Sequence, residues 1–253
     1  MVLPVLVLAT GCAGLSATAR QQLIGAYGQY CQKDYRSASS KLDIILHEYP
    51  RDQESAEAYY LRALCRAELS QRNQATSDAL SCIRYAKESG LRARAHAMAG
   101  SLMFEADRTS AAIPHFAEAL RSVSDLPEKD KDLVRYRYGL SLQREGRWKK
   151  ARLEFAAVFQ RYPTSDLAAH ARRMYDWPHD SYSIQCGAFR DRAGATKLMA
   201  ELKKAGLGVR VEPRPRGGEP LQMVYVGRYP LHVQARDALL SVRRRVPDAL
   251  IVP

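Results

Sequence analysis

Trp148-Lys149-Lys150-Ala151-Arg152-Leu153-Glu154-Phe155-Ala156-Ala157-Val158-Phe159-Gln160-Arg161-Tyr162-Pro163 sets an aromatic, a small residue and two apolar residues at helical intervals before a Tyr-Pro stop. The pattern is not unique to this stretch. Tyr35, Ala38, Leu42, Ile45, Tyr49 and Pro50 repeat it 113 residues earlier, all six positions at one offset. Ala75, Ala79 and Cys82 form an intermediate copy, and Ala112, Phe116 and Ala119 another. The anchoring alanines Ala38, Ala75, Ala112 and Ala151 are spaced by 37, 37 and 39 residues. Gly100 and Gly139 each stand twelve residues before their anchor. Intervals of this length mark a repeat in which each unit is a helical pair.

The spacing and the small, aromatic, Ala, Phe and Pro positions resemble tetratricopeptide (TPR) repeats, with Tyr138-Gly139 through Pro163 as the best unit. The resemblance implies an all-α helical solenoid of four repeats over residues 20–175. Small residues let the two helices of a unit approach, and Pro ends the second helix. The second unit fits poorly, because Arg62 and Arg66 fall where apolar residues are expected. Such a solenoid grips a peptide or protein partner in its concave groove, or serves as a spacer. Tyr27, Tyr30, Tyr59, Tyr60, Tyr136 and Tyr138 are the candidate groove contacts, with inter-helix packing as their alternative role.

Downstream of the repeats the period changes. Trp177-Pro178-His179-Asp180 breaks the helical pattern, and residues 176–180 read as a linker. Tyr182-Ser183-Ile184-Gln185-Cys186-Gly187 alternates as a strand. Asp191 caps a helix with Ala195, Leu198, Met199 and Leu202 on one face, and Gly206 ends it. Val209-Arg210-Val211 reads as a second strand, Gly217-Gly218 as a hairpin turn, and Gln222-Met223-Val224-Tyr225-Val226 as a third strand. A second helix carries Ala235, Ala238, Leu239, Val242 and Val246, and Ala249-Leu250-Ile251-Val252 closes the chain as a strand. Residues 181–253 thus predict a small α+β ferredoxin-like βαββαβ domain, one sheet face covered by helices and the other open.

Ile184-Gln185-Cys186-Gly187-Ala188-Phe189, followed by an Ala-rich helix, resembles the opening of the sporulation-related (SPOR) domain. Val224-Tyr225-Val226-Gly227-Arg228-Tyr229 resembles the same family's Val-x-Val-Gly-Pro-Phe segment. The resemblance implies binding to peptidoglycan, on glycan strands stripped of their stem peptides. Strand alternation puts Gln185 on one face of its strand and Leu221, Met223 and Tyr225 together on theirs. With the valines meeting the helices, Gln185, Tyr225, Met223 and Leu221 line the open face. Ala188 occupies the position where well-characterised relatives carry Ser, Met223 one that is often Arg, and Leu221 one that is aromatic. Gln185 and Tyr225 are then the polar and aromatic contacts, an amide for hydroxyls and a flat wall for sugar C–H groups. Arg190, Arg210 and Arg228 are rim candidates, with solvated surface charge as their alternative.

The chain opens with an apolar run, Val2 to Ala9, then Thr10-Gly11-Cys12. The run is too short to span a bilayer but suits a secretory signal. Small residues before Cys12 resemble a bacterial lipobox, which implies a signal peptide over residues 1–11, a lipidated Cys12 and attachment to a membrane by that anchor only. Ala13, in place of Asp, favours the outer membrane by the same analogy.

Composition excludes other classes. The 253 residues are 46% hydrophobic and 26% charged, so the chain folds, and no apolar run reaches the roughly 18 residues of a membrane span. Five cysteines are too few for a disulfide framework. Cys31, Cys65 and Cys82 sit among apolar helical neighbours and read as buried thiols, and Cys186 faces the small domain's core. The net charge of +12 holds no run longer than Arg243-Arg244-Arg245, so no basic arm for nucleic acid is present. No catalytic motif and no phosphate-cradling loop is found. The six histidines never lie three to five residues apart, which argues against a helix-borne metal site. The sequence therefore predicts a non-enzymatic, cofactor-free envelope protein on the periplasmic side of a bacterial cell. It would bind glycan strands through residues 181–253 and an envelope or division protein through the helical groove. One alternative is a protein–protein scaffold whose small domain no longer binds glycan. A remoter one is RNA binding, for which Leu221, Met223 and Tyr225 supply a single aromatic.

Overall fold

A computed structural model of the protein describes residues 14–216 and 219–253. The expected signal peptide over residues 1–11, Cys12 and the Gly217-Gly218 turn lie outside the described residues. The chain forms two compact units, Met1–Val134 and Arg135–Pro253.

The first unit holds helices α1 (Ala17–Cys31), α2 (Tyr35–Glu48), α3 (Ser55–Glu68), α4 (Arg72–Tyr85), α5 (Ser89–Glu105) and α6 (Thr109–Arg121) and the start of α7 (Glu128–Arg144). The second continues α7 and adds α8 (Trp148–Arg161) and α9 (Ala168–Tyr175). The expected helical pairs are therefore α1–α2, α3–α4, α5–α6 and α7–α8. Each turns on one residue in the left-handed region: Lys33 (φ 64°), Ser70 (61°), Asp107 (57°) and Gly146 (72°). Each of these stands five residues before an anchoring alanine. The next residue closes the turn by donating its N–H back five residues: Asp34 to Gln29, Gln71 to Arg66, Arg108 to Met103 and Arg147 to Leu142, at 2.8–2.9 Å. This 6→1 bond occupies a carbonyl that the end of the first helix leaves open. Three of the four left-handed positions are not glycine, at a cost of about 1 kcal/mol each.

The anchoring alanines Ala38, Ala75, Ala112 and Ala151 are buried. A Cβ on Gly100 would stand 2.8 Å from the Phe116 ring, and one on Gly139 2.7 Å from the Phe155 ring, so only glycine admits the aromatic at that distance. The corresponding pairs upstream, Ala26 with Leu42 and Ala63 with Ala79, are fully buried.

Arg62 and Arg66 are explained by neighbouring helices. Both bind the buried carboxylate of Asp78 on α4, Arg62 at 2.7 and 3.0 Å and Arg66 at 2.8 Å. Both also reach Asp43 on α2, at 2.6 and 3.1 Å. The misfit positions of the second unit are a charge network joining three helices. In the third pair, His96 and His115 meet through their Nδ1 atoms at 3.0 Å. Burial lowers both pKa values below the ordinary histidine range, and the nearby Arg92 and Arg121 act the same way on His96 while Glu118 opposes.

The C-terminal module runs β1 (Tyr182–Phe189), α10 (Arg192–Lys204), β2 (Val209–Arg216), β3 (Glu219–Tyr229), α11 (His232–Arg243) and β4 (Leu250–Val252). Its strands form one antiparallel sheet in the order β2-β3-β1-β4, the expected ferredoxin-like arrangement. Asp191 caps α10, accepting from the Gly194 N–H at 2.7 Å. Ile184, Cys186, Val224 and Val226 pack against Ala195 and Leu202 of α10 and Leu239 and Val242 of α11. β2 runs to residue 216, well past the expected Val209–Val211. It is an edge strand, where Pro213 and Pro215 are tolerated because no ladder partner needs their N–H on the outer side.

Cys65, Cys82 and Cys186 are buried, and burial pushes their thiols up to about 11, 12 and 11. Cys31 is exposed instead. It lies five residues beyond buried Ala26, roughly 140° round the helix and off the buried stripe.

Candidate functional site

The candidate site is the sheet face opposite α10 and α11. Strand register sets Gln185 of β1 beside Tyr225 of β3, and Tyr225 beside Arg210 of β2. Leu250 of β4 extends that row on the far side of Gln185. The next row is Ala188, Met223 and Glu212, and the third pairs Leu221 with Arg214. The sequence-derived residues Gln185, Ala188, Leu221, Met223 and Tyr225 thus fall in three adjacent rows.

The face is not open at its centre, contrary to expectation. Tyr225 is 2% exposed and Met223 6%. The residues expected to be a linker fold back over them. The Trp177 ring stands edge-on to Tyr225 at 6.1 Å, and its indole N–H donates to the Ser181 carbonyl at 3.1 Å. The physical reason is a set of long-range contacts that local polarity does not announce. The Arg214 guanidinium lies 4.6 Å from the Trp177 ring centre, and His179 reaches Glu212 at 3.2 Å. Arg152 of α8 donates to the carbonyls of Trp177 (3.2 Å) and His179 (3.4 Å) and pairs with Asp180 at 2.6 Å. Gln185 and Leu221 remain half-buried and Ala188 exposed.

Arg210 organises the charge. It donates to the Ser183 hydroxyl and the Gly227 carbonyl, each at 2.6 Å, and to Glu212 at 2.7 Å, with its guanidinium 4.9 Å from the Tyr225 ring centre. Burial opposes the charged form of Glu212, but hydrogen bonds from Arg210 and His179 outweigh it and hold the carboxyl below the usual range. Of the rim candidates, Arg210 is bound into the face, while Arg228 and Arg190 are exposed beyond it. Trp177, His179, Glu212 and Arg214 were not among the sequence-derived candidates. The available signal was Arg210-x-Glu212-x-Arg214, which alternates as one face of a strand, but the intervening prolines disguised it.

In the first unit, α1, α3 and α5 line a cavity of about 500 Å³ with Leu23, Ile24, Tyr27, Tyr30, Tyr60, Leu64 and Arg94 among its walls. Ile24 and Tyr27 are exposed. Among the described residues, Arg94 Nε is buried without a hydrogen-bond partner, and its guanidinium lies 5.8 Å from the Tyr60 ring centre. Three of the six candidate tyrosines therefore line this cavity. Tyr59 stacks on Tyr85 and Tyr136 packs on Phe155, as inter-helix contacts. No group of three or more metal-ligating side chains is found among the described residues.

Residues 178–253 match the family model of the SPOR domain, and residues 134–165 match that of a tetratricopeptide repeat. The chain carries a SPOR domain after its TPR repeats. SPOR domains bind peptidoglycan and TPR repeats mediate protein binding, so both are binding or scaffold families rather than enzyme families. The helical part is similar in fold to the crystal structure of YrrB, titled a TPR protein with an unusual peptide-binding site. Identity is 20% and the TM-score 0.52, over 62% of this chain and 74% of that one. A tetratricopeptide repeat protein from Parabacteroides merdae ATCC 43184 aligns at 12% identity and TM-score 0.53, over 75% and 68%. The MamA protein aligns at 16% and 0.51, over 64% and 86%. No curated protein matches the sequence. The SPOR match begins at Pro178, one residue after the Trp177 that packs on Tyr225.

Proposed function

We propose that the protein binds peptidoglycan, on glycan strands stripped of stem peptides, through the SPOR sheet face, and holds a protein partner in the TPR groove. It acts without catalysis in cell division or envelope organisation. Lipidation at Cys12 anchors it to the periplasmic side of the outer membrane. The observation that carries the glycan reading is the in-register row of Gln185, Tyr225 and Arg210 within the SPOR match. Within that row Gln185 stays half-buried, and its amide both donates to and accepts from hydroxyls. The cavity of the first unit supports the partner reading, since exposed Ile24 and Tyr27 border the unsatisfied Arg94 Nε.

The burial of Met223 and Tyr225 favours a second reading, in which the SPOR domain serves as a protein scaffold. Co-sedimentation of the full chain with sacculi, with and without prior amidase treatment, separates the two. The glycan reading expects binding to rise with amidase and to fall in Gln185→Ala. Equal background under both conditions supports the scaffold. Replacing Cys12 with Ser tests the anchor, with release from the membrane fraction as the expected result.

A further inference from the structure

Resting on the glycan reading, we infer that Trp177 is the aromatic surface on which a sugar ring stacks, and that Arg152 is the positioning residue that holds it there.

Tyr225 is 2% exposed, so it presents no face to a ligand, and the Leu221 position carries no ring. Trp177 lies directly above Tyr225 and is only half-buried. Among the described residues, Trp177 and Tyr225 are the aromatic pair packed on this side of the sheet, and Trp177 is the less buried of the two. Its setting suits a pyranose. Ring C–H groups lie against the indole, and the Arg214 guanidinium beside it, 4.6 Å from the ring centre, offers N–H donors to hydroxyls.

Trp177 is also fixed. Its indole N–H is bound to the Ser181 carbonyl, its ring to Arg214 and Tyr225, and its own carbonyl to Arg152. Movement off the sheet would break all of these contacts together, so the residue is a wall rather than a flap. Arg152 belongs to α8, the second helix of the last TPR hairpin. That helix is itself docked on the SPOR domain by Trp148, whose indole N–H donates to the Pro230 carbonyl at 3.1 Å and whose ring centre lies 4.9 Å from that of Tyr182. The glycan site is then built jointly by the last helical hairpin and the sheet.

The test uses the full chain and amidase-denuded glycan chains as the probe. Trp148 and Trp177 are the two tryptophans, so Trp148→Phe, which keeps a ring against Tyr182 and is first checked to co-sediment with denuded sacculi as the native chain does, leaves Trp177 as the sole emitter. In that background, titration should give a saturable emission change that follows sacculus co-sedimentation. Trp177→Ala in the native background should weaken co-sedimentation at least tenfold with the circular dichroism unchanged. Arg152→Gln should weaken it about threefold and raise acrylamide quenching of Trp177 before any glycan is added. If Trp148→Phe binds glycan without an emission change, or folded Trp177→Ala binds as well as or better than the parent, the inference is wrong. Better binding would make Trp177 a lid. Unchanged binding and quenching in Arg152→Gln would remove its positioning role. A native chain that binds no denuded glycan would instead overturn the glycan reading itself.

Discussion

The four helical hairpins use one solution four times, whereas the ion-rich face of the SPOR sheet uses each contact once. In every hairpin a left-handed residue, a five-residue backbone return and a tight helix pair recur at the same register. Across the sheet the helix-covered face is plain apolar packing, and the opposite face is an assembly of Arg210, Glu212, Arg214, His179 and Trp177. Repetition spreads a packing rule over many positions, so the loss of one instance is local and matched by its copies. A one-off assembly couples its members, so one change is felt by all of them.

The largest expected effect breaks the repeated solution. Phe155→Ala and Phe116→Ala should each cost about 4 kcal/mol in urea unfolding, and alike, because each ring faces a glycine sixteen residues earlier. Unequal costs would show that the copies are not equivalent. Asp78→Ala should cost about 3 kcal/mol, since it takes the buried carboxylate from Arg62 and Arg66 and leaves them only the more exposed Asp43. Arg210→Ala should cost about 2 kcal/mol by removing donors to Ser183, Gly227 and Glu212 together. A double-mutant cycle with Glu212→Gln should show coupling, whereas one pairing Phe116→Ala with Phe155→Ala should not.

A smaller effect depends on pH. The His96 and His115 pKa values lie below the unfolded value, so the unfolded chain binds more protons as pH falls. The stability they contribute is complete above about pH 6.5 and drains away below it. The denaturation midpoint of the native chain should therefore drop between pH 7 and pH 5, and His115→Gln should flatten that slope. The smallest effect is a gain. Ser70→Gly should raise stability by about 0.5 kcal/mol in thermal unfolding, because glycine adopts the left-handed turn without the side-chain clash. Gly146→Ala should move the other way.

The contrast also explains what the sequence disclosed. The hairpins were legible because close helix approach forces small residues at fixed intervals, so Ala38, Ala75, Ala112 and Ala151 stand out. Their turns were hidden, since only Gly146 of the four left-handed positions is glycine. Arg62 and Arg66 read as misfits because hydropathy along one helix says nothing of an aspartate on the next. In the SPOR domain, strand alternation puts Gln185, Leu221, Met223 and Tyr225 on one face, and the register sets them in adjacent rows. It did not show that Trp177 would cover them, because the contacts to Arg214 and Arg152 are made across 37 and 25 residues of sequence.

The proposed function sets glycan on the Trp177-bearing face. A chemical-shift map of the full chain, titrated with amidase-denuded glycan chains, tests it most directly. The largest shifts are expected at the Trp177 indole and at the backbone amides of Gln185, Ala188, Arg210 and Leu221, with α10 and α11 unmoved. Shifts confined to those two helices, or no shift at saturating glycan, would contradict it.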